Sequence, residues 1–185
     1  MSRPVVVIGS GGFGREAVEV IQAARSAGAD LDLLGFVDDD AAAPGRAVLE
    51  RAGIRYLGAL SDLVLLGEGH SYVVGIGDPG RRAAIVDQLE DARLTAATVV
   101  HPRATVGART DLGPGTVVCA GAQISVDVRL GAHVHVNPNA TVGHDVVAHD
   151  FVSVNPGAII SGAVVVESRV LVGAGAVVLQ GLRIG

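Results

Sequence analysis

Gly9-Ser-Gly-Gly-Phe-Gly14 follows the apolar run Val5-Val-Val-Ile8 and precedes Arg15–Arg25, whose Ala17, Val18, Ile21 and Ala24 recur at helical spacing. In that setting Gly9, Gly11 and Gly14 let the backbone approach a phosphate. The helix behind them offers free N–H groups and the positive end of its dipole. A second apolar run, Leu33–Val37, closes on Asp38 and Asp39, either of which can accept a ribose hydroxyl. The plainer reading of the glycines is a tight strand–helix turn with no ligand. The chain also carries six histidines: His70, His101, His133, His135, His144 and His149. Imidazole titrates near neutrality and suits general-base chemistry. A carboxylate beside it, such as Asp145 next to His144, can fix the tautomer and raise the basicity. Taken one at a time, most histidines in such a chain are solvated polar residues.

The elements that must position these groups fall into two parts. Through residue 99, short apolar runs alternate with helical stretches. Strands are expected at Val5–Ile8, Leu33–Val37, Ile54–Leu57 and Ser71–Ile76. Helices are expected at Arg15–Arg25 (ended by Gly28), residues 41–52, Leu60–Leu66 and Arg81–Glu90. Such alternation predicts an α/β, Rossmann-like domain with a parallel sheet over residues 1–99. A nicotinamide-dependent reductase would need a second half of a dinucleotide fold, and none follows.

From Val100 every sixth residue is apolar: Val100, Val106, Leu112, Val118, Ile124, Leu130, Val136, Val142, Ala148, Val154, Ile160, Val166, Val172, Val178 and Ile184. Fourteen of these fifteen are Val, Leu or Ile, and no insertion breaks the register. A period of six fits neither an amphipathic helix nor a meander. It fits a three-sided β-solenoid over residues 100–185, one short side and one corner per hexad. Slightly over four coils make a prism about 20–25 Å tall. One aliphatic per side is expected to fill the interior, with glycine and asparagine at corners that require positive φ. Residue 144 lies two places past buried Val142, so its side chain is expected to point outward.

Composition narrows the function. Of 185 residues 49% are hydrophobic and 3% aromatic, the net charge is −5, and all 14 basic residues are Arg. The acidity belongs to residues 1–100, with 14 acidic residues against 9 Arg, while residues 101–185 hold 5 of each. No basic run marks a nucleic-acid binder, and no apolar run is long enough for a membrane span. The single cysteine, Cys119, excludes an internal disulfide framework and fits a reducing compartment. Met1-Ser-Arg-Pro-Val leads directly into a strand without a signal-peptide pattern, so a cytoplasmic protein is expected.

The hexads, each aliphatic followed by a small residue, resemble the hexapeptide-repeat acyltransferases, which form left-handed parallel β-helices. Val7-Ile-Gly-Ser-Gly-Gly-Phe-Gly-Arg-Glu16, Gly35-Phe-Val-Asp-Asp39, Gly75-Ile-Gly-Asp78, Val100-His-Pro102 and Gly143-His-Asp145 occur in order. Together they resemble the bacterial sugar O-/N-acetyltransferases of the NeuD and PglD type across nearly the whole chain. The resemblance implies acetyl-CoA as co-substrate, a nucleotide-linked sugar as acceptor, no metal, and a homotrimer with sites between subunits. It makes His144 the general base and Asp145 its orienting partner. It places acetyl-CoA contacts at Ser153, Gly162 and Ala174, and nucleotide-sugar contacts at Gly11, Gly12, Phe13, Asp38 and Asp39. Ser153 stands where relatives often carry histidine, and Phe13 where histidine is common, which leaves the phosphate contact to backbone groups. Relatives run on for another coil and a tail, so a chain shortened after Gly185 is expected. Cys119 is expected to pack rather than to carry an acetyl group.

Other chemistries compete. The acceptor can be a hydroxyl on a sialic-acid-like sugar. The chain can also be an inactive nucleotide-sugar-binding scaffold, a reading that the serine at 153 and the short C-terminus support. Trimeric γ-class carbonic anhydrases share the solenoid and hold zinc with three histidines. His144 and His149 have a spacing suited to two such ligands, but the third position is Ala108 and the N-terminal domain is left unexplained.

Overall fold

The computed structural model describes residues 2–40 and 42–185. The N-terminal part holds β1 (Arg3–Ile8), α1 (Gly12–Ser26), β2 (Leu31–Val37), α2 (Pro44–Arg51), α3 (Leu60–Leu66), β3 (Ser71–Val74), α4 (Pro79–Gln88) and β4 (Thr95–Ala96). Its strands form one parallel sheet in the order β2-β1-β3-β4. Val5, Val7, Ala17, Ile21, Phe36 and Val73 are buried between the sheet and α1. The order reverses direction beside β1, so the crevice for a ligand lies at the C-terminal ends of β1 and β3.

Several sequence expectations shift here. Helix α1 begins at Gly12 rather than Arg15 and α2 at Pro44, and Ala41, the expected start of α2, lies outside the described residues. Ile54–Leu57 forms only an isolated bridge, Phe36 to Tyr56, because this stretch meets the irregular edge of β2 beside Gly35. The fourth helix starts earlier than expected. Pro79 takes its first turn and the Asp78 side chain accepts the Arg81 N–H at 2.7 Å, an N-cap that fixes the start.

The remainder is a left-handed parallel β-helix of two-residue strands on three faces. The first face stacks β5 (Val99–Val100), β8 (Val117–Val118), β11 (His135–Val136), β14 (Ser153–Val154) and β17 (Leu171–Val172). The second stacks β6 (Thr105–Val106), β9 (Gln123–Ile124), β12 (Thr141–Val142), β15 (Ile159–Ile160) and β18 (Val177–Val178). The third stacks β7 (Asp111–Leu112), β10 (Arg129–Leu130), β13 (Val147–Ala148), β16 (Val165–Val166) and β19 (Arg183–Ile184).

Each hexad buries two residues rather than one. Val128, Val134, Ala140, Val146 and Val152, each two places before the repeating aliphatic, are as buried as Val136, Val142 and Val154. The corners also differ from expectation. Positive φ recurs every six residues from Arg109 to Gly181, at residues as varied as His133, Asn139, Asp145, Phe151 and Ala163. From Gly121 onward the N–H of each such corner residue bonds a carbonyl one coil below, as Asp145 does to Val126. Stacking therefore holds the left-handed turn whatever the side chain. The small residues after the aliphatics answer a different need, which is close approach of the next coil. A side chain at Gly143 would collide with the backbone of Ser161 and Gly162.

Candidate active site

The glycine turn sits where the sequence places it. Gly14 packs so closely on the Gly9 carbonyl that any Cβ there would clash, so the third glycine serves helix–strand packing. Gly11 and Gly12 are exposed with open space around them, and no side chain caps the N-terminus of α1. Asp38 closes the turn from β2. Its Oδ2 accepts the Ser10 N–H at 2.7 Å and the Ser10 hydroxyl at 2.6 Å. Asp39 Oδ1 accepts the Leu60 N–H at 2.7 Å. Beside Gly9, Asp38 and Asp39 lies a cleft of about 210 Å³ over the ends of β1, β2 and β3, walled by Ile76 and by Arg81 of α4.

The α/β domain covers the first face of the solenoid. Outward residues there are buried: Val99, Val117, His135 and Ser153. Phe13 stacks on His135, ring centroids 3.9 Å apart, so its side chain is committed to this contact. Tyr72, His133 and Phe151 form a second stack. At the centre lies Arg82, fully buried, with no ion pair among the described residues. Its Nε donates to the His133 carbonyl at 3.0 Å. Nη1 donates to the carbonyls of Ile76 and Gly77 at 2.8 and 3.1 Å and to His135 Nδ1 at 3.1 Å. Nη2 donates to the Phe151 carbonyl at 2.7 Å and to the Ser153 hydroxyl at 3.0 Å. Burial lowers its pKa to about 10, which leaves it charged near neutrality. His135 accepts at Nδ1 and is therefore neutral. Burial and the adjacent guanidinium hold its pKa well below the ordinary value. The same two causes push His133 down to about 4.

His144 occupies the corner between β12 and β13, the edge shared by the second and third faces and opposite the face that the α/β domain covers. Its side chain is exposed, and its Nδ1 lies 2.7 Å from Asp145 Oδ2. The carboxylate contacts one ring nitrogen, and Nε2 makes no hydrogen bond among the described residues. Gly162, one coil on, makes room for the ring, since a Cβ there would sit 2.5 Å from His144 Nε2.

The model of the PglD N-terminal domain matches residues 4–89. A histidine-to-asparagine variant of perosamine N-acetyltransferase from Caulobacter crescentus, solved with CoA and GDP-perosamine, is 30% identical. The match covers 97% of this chain and 90% of that one, with a TM-score of 0.76. This chain belongs to the PglD-type sugar acetyltransferases of the hexapeptide-repeat superfamily. The acetyltransferase domain of PglB from Neisseria gonorrhoeae is 28% identical to it, covering 98% and 96% of the two chains at a TM-score of 0.78. WeeI from Acinetobacter baumannii, 18% identical, shares the fold, covering 98% and 93% at a TM-score of 0.75. Among curated proteins no sequence matches the chain.

Within this acetyltransferase chain the three residues expected at acetyl-CoA do not converge. Gly162 lies against His144. Ala174 is exposed on the edge between the first and second faces. Ser153 is 1% exposed, and its hydroxyl, besides accepting from Arg82, donates to the Gly77 carbonyl at 3.0 Å. Its one O–H donor is used at the domain boundary, on the side of the α/β domain and away from the edge that carries His144. The competing zinc reading rests on the spacing of His144 and His149. They stand at opposite ends of β13, and the nearest acid to His149 Nε2 is Glu167, at 4.0 Å. Cys119 is buried between α1 and the solenoid, and burial raises its thiol pKa to about 12, consistent with packing alone. Sequence reasoning missed Arg82. An arginine pair at 81–82 reads as a solvated helix start, and only Gly75–Asp78 ahead of it marked the region.

Proposed function

We propose that this protein transfers the acetyl group of acetyl-CoA to the amino group of a nucleotide-linked sugar. Residues 1–99 hold the nucleotide sugar and residues 100–185 hold acetyl-CoA. The observation that carries the reading is the His144–Asp145 pair at 2.7 Å on an open solenoid edge. The Caulobacter relative, an N-acetyltransferase solved with CoA and a GDP-linked sugar, supports both co-substrates and an amine acceptor over a hydroxyl.

In this mechanism Asp145 holds the His144 Nδ1 proton and Nε2 accepts a proton from the acceptor amine as it attacks the thioester carbonyl. The tetrahedral intermediate collapses with cleavage of the C–S bond. The CoA thiolate leaves and takes the proton back from His144. Gly11, Gly12 and the backbone of Phe13 bind the phosphates, and Asp39 takes a ribose or base donor. Asp38 acts by holding Ser10 and the turn.

The position of His144 supports a homotrimer. The edge that carries it is turned away from its own α/β domain, so a sugar held in that domain meets the histidine of a neighbouring subunit. No helix among the described residues is long and apolar enough to cross a membrane, and we place the reaction in the cytoplasm with its two water-soluble substrates. A screen of UDP- and GDP-linked amino sugars with acetyl-CoA, read by free-thiol release, tests the reading. Turnover with at least one amino sugar is expected. Nucleotide-sugar binding without turnover would leave the scaffold reading in its place.

A further inference from the structure

The geometry points to Arg81 as the side chain that joins the backbone of the glycine turn in binding the diphosphate of the nucleotide sugar, and so selects nucleoside diphosphates over nucleosides. This assignment rests on the proposed function and extends it to a residue outside the glycine turn.

The cleft is acidic. Asp38, Asp39 and Asp40 all line it, and Arg81 is the one cation among its lining residues. A diphosphate entering it meets repulsion that something must offset. The carboxylates are partly disarmed by their own loops. Asp38 Oδ2 takes both Ser10 donors and its Oδ1 accepts the Asp40 N–H at 3.0 Å. Asp39 accepts from Leu60 N and Asp40 from Ala42 N at 2.9 Å. These bonds neutralise no charge.

Arg81 stands in the first turn of α4, on the wall formed by Ile76 and Ile85. Its backbone N–H is fixed by the Asp78 cap at 2.7 Å. Its guanidinium has no hydrogen bond or ion pair among the described residues, in a domain with a surplus of acid. The next residue, Arg82, is locked through Ile76 and Gly77 to the solenoid, so the wall carrying Arg81 is rigid. An anchored backbone and a free planar fork of donors are what bidentate phosphate recognition requires, and Arg81 supplies both as the one cation set against the carboxylates of the cleft. Arg15 is the rival cation. It lies on α1 beside a separate hollow against the solenoid, with its Nε 3.4 Å from the Gly11 carbonyl.

Calorimetric titration of the full chain with GDP, UDP, guanosine and uridine decides the matter, using wild type, Arg81→Ala, Arg81→Lys and Arg15→Ala. Wild type is expected to prefer a diphosphate to its nucleoside. Arg81→Ala is expected to weaken the diphosphate by about tenfold and flatten its salt dependence. Nucleoside and acetyl-CoA affinities are expected to stay unchanged, and Arg81→Lys to recover part of the loss. Equal diphosphate binding by Arg81→Ala and wild type overturns the assignment. So does an equal loss for nucleosides, or a loss that appears in Arg15→Ala instead. A wild-type protein that binds none of the four overturns the proposed function, and this assignment with it.

Discussion

Arg82 Nη2 donates to the Ser153 hydroxyl at 3.0 Å, across the boundary between the α/β domain and the solenoid. The same guanidinium holds carbonyls from both sides. Arg82→Met would strand several buried acceptors at once. It is expected to destabilise the protein by about 3–5 kcal/mol. Ser153→Ala is expected to cost about 1 kcal/mol. Urea unfolding midpoints measure both, and similar values for the two variants would contradict the central place given to Arg82.

The same boundary makes stability sensitive to acid. His133 has a folded pKa near 4 and His135 one well below its ordinary value. Near neutrality both are neutral, folded or unfolded. As pH falls below about 6.5 the unfolded chain takes up protons that the folded chain refuses, so stability drops toward the folded pKa values. Thermal midpoints are expected to decline from pH 7 to pH 4.5. His133→Asn, which tolerates the positive φ of 54° at this corner, is expected to decline less steeply than wild type. Parallel curves would remove His133 as a cause.

Gly162 tests the placement of the imidazole. A methyl group there needs the space of the His144 ring, and that ring is exposed and free to turn away. Gly162→Ala is therefore expected to change stability by less than about 1 kcal/mol while lowering kcat by about tenfold or more. A large stability loss with unchanged kcat would contradict it.

Asp145→Asn separates charge from backbone. Asn adopts the left-handed corner conformation, so the φ of 59° is retained. The amide cannot hold the same tautomer, and kcat is expected to fall on the order of 10²-fold with acetyl-CoA affinity intact. Full activity in this variant would reduce Asp145 to a corner residue.

Much of the solenoid was legible because one buried position per hexad repeats without interruption, as Val136, Val142 and Val154 show. The outward direction of His144 followed from the same count. The left-handed corners were not legible. Coil-to-coil hydrogen bonds hold them, so Asp145, Phe151 and Ala163 serve as well as glycine. The fate of Ser153 was hidden for a related reason. Its burial comes from a helix some seventy residues earlier, and nothing local to Arg82 distinguishes a domain lock from a solvated arginine.

Acetyl transfer by the His144→Ala variant tests the central claim most directly. With acetyl-CoA and the amino sugar nucleotide found by the screen, thiol release is expected to fall by at least about a hundredfold, with nucleotide-sugar binding preserved. Turnover equal to wild type would contradict the assignment of His144 as the base.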